Sequence, residues 1–339
     1  MIFDNSRREF IKIAGLGGGF ALTHSLLPVR FAFSDTLNNK RLLVVILRGA
    51  LDGLAAVIPF GDRSYADARG IMALPQNGDA MVNLDNYFAL HIALKPLLPL
   101  YEQRQMLIYH AAATSYRDRS HFDAQDLLEN GSDKPHTLAT GWLNRAIATL
   151  SHSPKAMSVG VSIPLILRGG AKIGSWAPSI LPNVDEDFLS RVIHLYQSDP
   201  LLLDAITRAK EMRDAGNNKS DLVRGQRAFI GIMQKIAEFM APASGARIAT
   251  VEIGGWDTHA NQGLVKGNLP NNLGILAEGL INFQKSMGAV WKDTAVLCIT
   301  EFGRTVKGNG SEGTDHGTAS VAFLLGGSVN GGRVAGDWP

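Results

Sequence analysis

The sequence has one cysteine, Cys298, among 339 residues. No intrachain disulfide can form and no cysteine-based zinc cluster exists, so thiol chemistry says nothing about compartment. Charge of one sign is also lacking, since 33 basic against 31 acidic residues leave a formal net charge of +2. A dedicated nucleic-acid binder shows a strong basic surplus, and that class is disfavoured. No internal repeat, low-complexity tract or long run of like charge is visible. The apolar stretch from Ile13 to Leu27 is glycine-rich and too short for a membrane span. What is present is a hydrophobic fraction of 45%, which rules out a wholly disordered chain and is ample for a sizeable core. Thirty-six glycines without a collagen period indicate many tight turns.

The N-terminus reads Ser6-Arg7-Arg8-Glu9-Phe10-Ile11-Lys12, the twin-arginine export pattern with Ile11 in the leucine place. A weakly hydrophobic stretch follows, Pro28 ends it, and Ala32 and Ser34 stand at the −3 and −1 places of a cleavage site. Residues 1–34 are therefore expected to be a signal read by the Tat translocase. The mature protein, residues 35–339, is expected to cross the membrane folded and to work in the periplasm or outside the cell. The plainer alternative is an ordinary basic N-terminal helix.

In the mature chain, strand-like runs cover Arg41–Leu47, Met106–Tyr109, Met157–Val161, Arg247–Ile253, Thr294–Thr300 and Ser320–Leu325. Several are nearly continuous apolar stretches, as expected of strands buried on both faces of a parallel sheet. Helical patterns lie between them, over Leu94–Gln103, Phe122–Asn130, Trp142–Leu150, Asp187–Tyr196, Pro200–Arg213, Leu222–Met240 and Asn272–Trp291. The alternation predicts an α/β fold with a mostly parallel central sheet sandwiched by helices. Residues 162–245 carry three successive helical patterns and almost no strand. They read either as a helical cap inserted between strands or as helices covering one face of the sheet.

Ligands of open α/β sheets bind beyond the carboxyl ends of the strands. Polar residues gather after the predicted strands: Asp52, the run from Ser115 to Asp123, Asp257 and His259, and Glu301 with Arg304. Asp315 and His316 precede the last apolar run. Carboxylates and imidazoles suit Zn, Mn, Mg or Ca. Ser120 opens a helix, where the dipole favours an anion. Each has a structural alternative. Asp52 before Gly53 suits a turn, Ser120 with Asp123 suits a capping box, His121 suits a first-turn surface residue, Asp257–His259 suits an Asx turn, and Glu301 suits an ion pair with Arg304.

Seven segments together resemble the bacterial domain-of-unknown-function 1501 family. They are the twin-arginine start, Leu47-Arg48-Gly49-Ala50-Leu51-Asp52-Gly53-Leu54, Ser120-His121-Phe122-Asp123-Ala124-Gln125-Asp126, Gly141-Trp142-Leu143-Asn144-Arg145, Gly254-Gly255-Trp256-Asp257-Thr258-His259, Thr300-Glu301-Phe302-Gly303-Arg304-Thr305 and Gly313-Thr314-Asp315-His316-Gly317-Thr318. That family is similar to the alkaline phosphatase and sulfatase superfamily. The resemblance implies an alkaline phosphatase-like α/β sandwich with a metal site at the strand ends. By the same resemblance Asp52, Asp257, His259, Glu301 and His316 match metal-binding positions. Ser120 matches the hydroxyl nucleophile, with His121 or Thr114 as alternatives. Arg119 or Arg304 would hold the anion.

The departures matter. The superfamily's Asp-x-x-x-His is Asp257-x-His259 here, and its Asp-His pair is Glu301-Phe302, which removes one ligand unless Asp315 replaces it. One divalent ion, two, or none fits that pattern. The chain ends at Gly336-Asp337-Trp338-Pro339, where family members usually continue, so a shortened C-terminus is expected. Two functions follow from the sequence. One is an exported metal-dependent hydrolase of a small anionic phosphate or sulfate ester. The other is a non-catalytic exported protein that binds a ligand or another exported protein.

Overall fold

Arg41–Leu47 is apolar after its first residue, and all of its positions are buried. A strand apolar on both faces belongs inside a covered sheet. In the computed structural model this strand, β1, has four strands on one side and three on the other in an eight-stranded sheet. The structure describes residues 39–76, 79–150, 154–178, 186–215, 227–336 and 338. All of them fall in one unit, Asn38–Pro339, and the twin-arginine segment lies outside the described residues.

From β1 the chain passes through α1 (Gly53–Ala56), β2 (Val57–Ile58), α2 (Tyr65–Arg69), β3 (Met81–Asn83), β4 (Ala89–His91), α3 (Leu98–Glu102) and β5 (Met106–Ala112). Then come α4 (His121–Asn130), α5 (Trp142–Ala148), β6 (Ala156–Val159), β7 (Gly174–Trp176), α6 (Glu186–Leu195), α7 (Pro200–Ala215) and α8 (Ala228–Met240). The last elements are β8 (Ile248–Ile253), α9 (Asn268–Met287), β9 (Thr294–Thr300), β10 (Ser320–Gly326) and β11 (Arg333–Ala335). The fold is α/β with a mostly parallel central sheet of order β11-β5-β10-β9-β1-β8-β6-β7. The short strands β2, β4 and β3 make a separate antiparallel sheet. The helix expected over Leu94–Gln103 is a 3-10 turn, Ile92–Leu97, leading into the short α3. Pro96 and Pro99 remove the amide donors a continuous helix would need there.

Side chains of a strand alternate between faces. Accordingly Leu43, Val45 and Leu47 join the main core with Phe229 and Met233 of α8 and Leu273 and Leu276 of α9. Leu42, Val44 and Ile46 join a second core with Leu143 and Ile147 of α5. Within 162–245, α8 therefore belongs to the main core, while α7 lies against β7. Among the described residues no helix is long and apolar enough to cross a membrane.

One strand sets the site. β9, β1, β8, β6 and β7 run parallel, and β5 shares their direction because β10 is antiparallel to both β5 and β9. The reversal places residues preceding β10 at the edge where the other strands end. Gly303 fastens this arrangement. Its amide donates to the Thr318 carbonyl at 3.1 Å, its carbonyl accepts from Gly317 at 2.8 Å, and Arg304 bridges His316 in antiparallel fashion. A Cβ on Gly303 would lie 1.7 Å from the Ala319 carbonyl oxygen. Gly303→Ala is expected to lower stability by about 1–3 kcal/mol or more, because backbone has to move. A drop in the denaturant midpoint checks this, and an unchanged midpoint contradicts it.

Candidate metal site

After β5 the chain turns through Arg119, whose φ of +60° is left-handed, into Ser120 at the N-cap of α4. His121 is thus the first residue of α4. After β8 the buried Trp256 donates from Nε1 to the Ile253 carbonyl at 3.0 Å, which anchors the turn carrying Asp257 and His259. The end of β1 passes against that turn. Gly49 has φ of +118°, and a Cβ there would meet the Asp257 backbone nitrogen at 2.6 Å.

These turns bring imidazole and carboxylate groups to one point. The His316 Nε2 lies 3.0 Å from Nε2 of His121 and 2.9 Å from Nε2 of His259. Asp257 reaches His259 at 3.0 Å, His316 at 3.4 Å and His121 at 3.5 Å. One ligand atom from each of His121, Asp257 and His316 lies within 4.8 Å of the others.

The outward nitrogens decide where the protons sit. His121 Nδ1 is 2.8 Å from the Glu301 carboxylate, His259 Nδ1 is 3.0 Å from the Asp315 carboxylate, and His316 Nδ1 is 2.9 Å from the Arg119 carbonyl. Each neighbour is an acceptor, so each Nδ1 donates. In a neutral ring the facing Nε2 then carries only a lone pair. Three such lone pairs and a carboxylate converge without a donor among themselves, an arrangement a cation relieves. The donor set of imidazoles and one carboxylate suits a divalent ion of borderline softness, and the residues fit such a group.

Bonds, burial and charge act differently on each group. The bond to Glu301 pushes the His121 imidazole above its ordinary value. Burial, followed by the nearby His121, holds His316 below its own despite the bond to the Arg119 carbonyl. Burial raises the Asp257 carboxyl, but the bond from Arg304 at 2.5 Å, the Arg304 charge and the nearby His259 and His121 together outweigh it and hold the group low. Burial likewise pushes Glu301 up, and bonds from His121, Gln125 and Gly49 overcome it. Bonds from Asn309 and His259 lower Asp315.

The expected residues fall in different surroundings. Asp52 is not with the histidines. Its carboxylate is buried against the Arg69 guanidinium, accepts from Gln262 Nε2 at 2.7 Å, and caps α1 through Ala55. Glu301 and Asp315, expected as ligands, lie at the outward nitrogens of His121 and His259. Arg304, expected to hold an anion, is buried and directs its guanidinium to Asp257 and Thr314. His121, read as a catalytic alternative, joins the candidate ligands. Asp257, His259 and His316 are brought together as expected. Ser120 occupies the N-cap without a side-chain capping bond, so the capping-box alternative is not realised. Thr114 Oγ1 accepts from the Tyr116 amide. Arg69, Gln262 and Gln125 were in no expected role. Only Gln125 had a usable signal, lying four residues after His121 on the same helix face.

Asp52→Ala would leave the Arg69 charge buried and unpaired, at a cost of about 3–5 kcal/mol. Urea unfolding should show that loss, while the folded variant binds divalent ions as the parent does. Loss of ion binding in folded Asp52→Ala would return Asp52 to the ligand set.

Similar folds occur among solved structures, among them three at low identity. The C-terminal periplasmic domain of EcEptC from Escherichia coli, solved in complex with Zn, is 8% identical, with 86% of this chain and 74% of that chain covered and a TM-score of 0.42. The phosphonate monoester hydrolase of Agrobacterium radiobacter is 9% identical, with 87% and 70% covered and a TM-score of 0.35. Phosphonoacetate hydrolase from Sinorhizobium meliloti 1021, in complex with phosphonoformate, is 10% identical, with 78% and 57% covered and a TM-score of 0.33. No curated protein matches the chain. Residues 185–339, which supply Asp257, His259, Glu301, Arg304, Asp315 and His316, match the family described as "Protein of unknown function (DUF1501)".

Proposed function

We propose that this chain is an exported, metal-dependent hydrolase of phosphate or sulfate esters. The observation that carries the reading is the convergence of three imidazole Nε2 atoms on Asp257, each ring turned inward by an acceptor on its far nitrogen. His121, Asp257 and His316 would hold the ion, with His259 beside them. A divalent ion there supplies Lewis-acid neutralisation for the charge of an anionic ester.

The chain's own residues supply the rest. Ser120 stands at the amino end of a ten-residue helix, where backbone amides and the dipole favour an anion, and its hydroxyl is not used in capping. The exposed Arg119 beside it offers a positive charge to the same anion. Ser120 is the candidate nucleophile. Its Oγ forms a bond to phosphorus or sulfur as the ester oxygen leaves, and the leaving alcohol takes up the proton the hydroxyl gives up. Water then cleaves the seryl ester, restoring the hydroxyl and releasing phosphate or sulfate. Arg304 holds Asp257 in place rather than meeting the substrate.

The twin-arginine motif supports export by the Tat translocase, with function in the periplasm or outside the cell. Replacing Arg7 and Arg8 with Lys should leave the precursor in the cytoplasm, as cell fractionation would show. A second reading, a non-catalytic exported binding protein, draws on the exposed apolar side chains of Phe188 and Leu195 of α6 and Leu201 of α7, which a partner would cover.

Elemental analysis of the dialysed protein tests the first reading. Near-stoichiometric Zn or Mn is expected, lost in Asp257→Ala and His316→Ala. Turnover of a phosphate or sulfate ester panel should fall by at least about 100-fold in those variants and in Ser120→Ala. A folded protein with neither ion nor turnover supports the binding-protein reading.

A further inference from the structure

The three inward-facing rings are not held alike. His316 leans on a neutral main-chain carbonyl, that of Arg119. His259 leans on Asp315, whose side chain is 57% exposed. His121 leans on Glu301, whose side chain is 0% exposed. A charge screened by water orients a neighbour weakly, whereas a buried carboxylate acts at nearly full strength.

The surroundings of Glu301 make it a fixed point. One oxygen accepts from His121 Nδ1 at 2.8 Å, from the Gly49 amide at 2.8 Å and from Gln125 Nε2 at 3.1 Å. The other oxygen lies 3.0 Å from the Thr300 hydroxyl. The carboxylate thus joins the end of β1, the end of β9 and the first turn of α4. It cannot rotate away from His121 without breaking the other bonds.

We propose that Glu301 is the positioning residue of the site. Its buried carboxylate fixes His121 as the Nδ1–H tautomer, aims Nε2 at the ion position and strengthens that nitrogen as a donor, while Asp315 does the same weakly for His259. The inference rests on the metal-site reading above and deepens it. Outer carboxylates of this kind change metal affinity by about 10–100-fold when replaced.

Glu301→Gln isolates the effect. The amide oxygen can keep the bonds from His121, Gly49 and Gln125. The amide nitrogen can donate to Thr300 Oγ1, whose own hydrogen can go to the Leu47 carbonyl 2.7 Å away. Charge is removed and hydrogen bonding is conserved. Three measurements on the full chain decide the matter: Zn²⁺ affinity by competition with a chromophoric chelator, the thermal midpoint of the metal-free protein, and the imidazole resonances of His121 by nitrogen-15 NMR without metal.

The expected result is a fall in Zn²⁺ affinity of about 10-fold or more in Glu301→Gln, a smaller fall in Asp315→Asn, and an unchanged metal-free midpoint. The metal-free parent should show His121 protonated on Nδ1, with that proton shifted far downfield and moving upfield in Glu301→Gln. An unchanged affinity in Glu301→Gln, or a parent whose His121 carries its proton on Nε2 alone, overturns the proposal. A parent that binds no ion but shows the Nδ1 proton defeats the metal reading and leaves the tautomer assignment standing.

Discussion

Lone pairs on three imidazole nitrogens about 3 Å apart repel one another unless a proton or a cation lies between them. The rest of the site is arranged around that constraint. Each ring is turned inward because its other nitrogen has an acceptor that cannot be refused, two of them carboxylates and one a main-chain carbonyl. Asp257 is placed among the rings by Arg304, and Arg304 is fixed by the oxygens of Thr314, one residue before Asp315. The negative and neutral donors are thus assembled by contacts outside the cluster, so that the cluster itself is left short of positive charge.

The fold was largely legible because the strands that matter are buried on both faces and read as apolar runs. Arg41–Leu47 and Thr294–Thr300 appear as strands with the expected bounds. The small sheet of β2, β3 and β4 was not visible, since segments of two or three residues carry no periodicity to read. The last strand posed a different difficulty. A rule built on the carboxyl ends of parallel strands would put Asp315 and His316 at the wrong edge, as they precede β10. They reach the site because β10 runs backwards, and the direction of a strand leaves no mark in its composition.

The membership of the cluster was legible more readily than the division of labour within it. Asp257, His259 and His316 come together as their motifs suggested, and His121 joins them. The carboxylates were harder to sort. Asp52, Glu301 and Asp315 all follow or precede strands in acidic motifs. Their roles depend on partners distant in the chain: Arg69 and Gln262 for Asp52, His121 for Glu301, His259 for Asp315. No local spacing encodes such a partnership. Burial then separates the roles, because a carboxylate with no exposure must be answered by several donors, as Glu301 is.

The position of β1 has a bearing on the order in which the molecule comes together. Among the described residues it is the first strand made, yet its two sheet neighbours are β8 and β9, whose residues come two hundred and more positions later. A ribosome adding about 5–20 residues per second would leave β1 unpaired for roughly 10 s or longer. Non-local pairing of this kind closes late and slowly. Until β8 emerges, β1 has no mate on either edge, and until β9 follows one edge stays open. Assembly of the histidine-bearing edge therefore waits for segments made late, and β1 is an apolar strand that a holding chaperone would find exposed early.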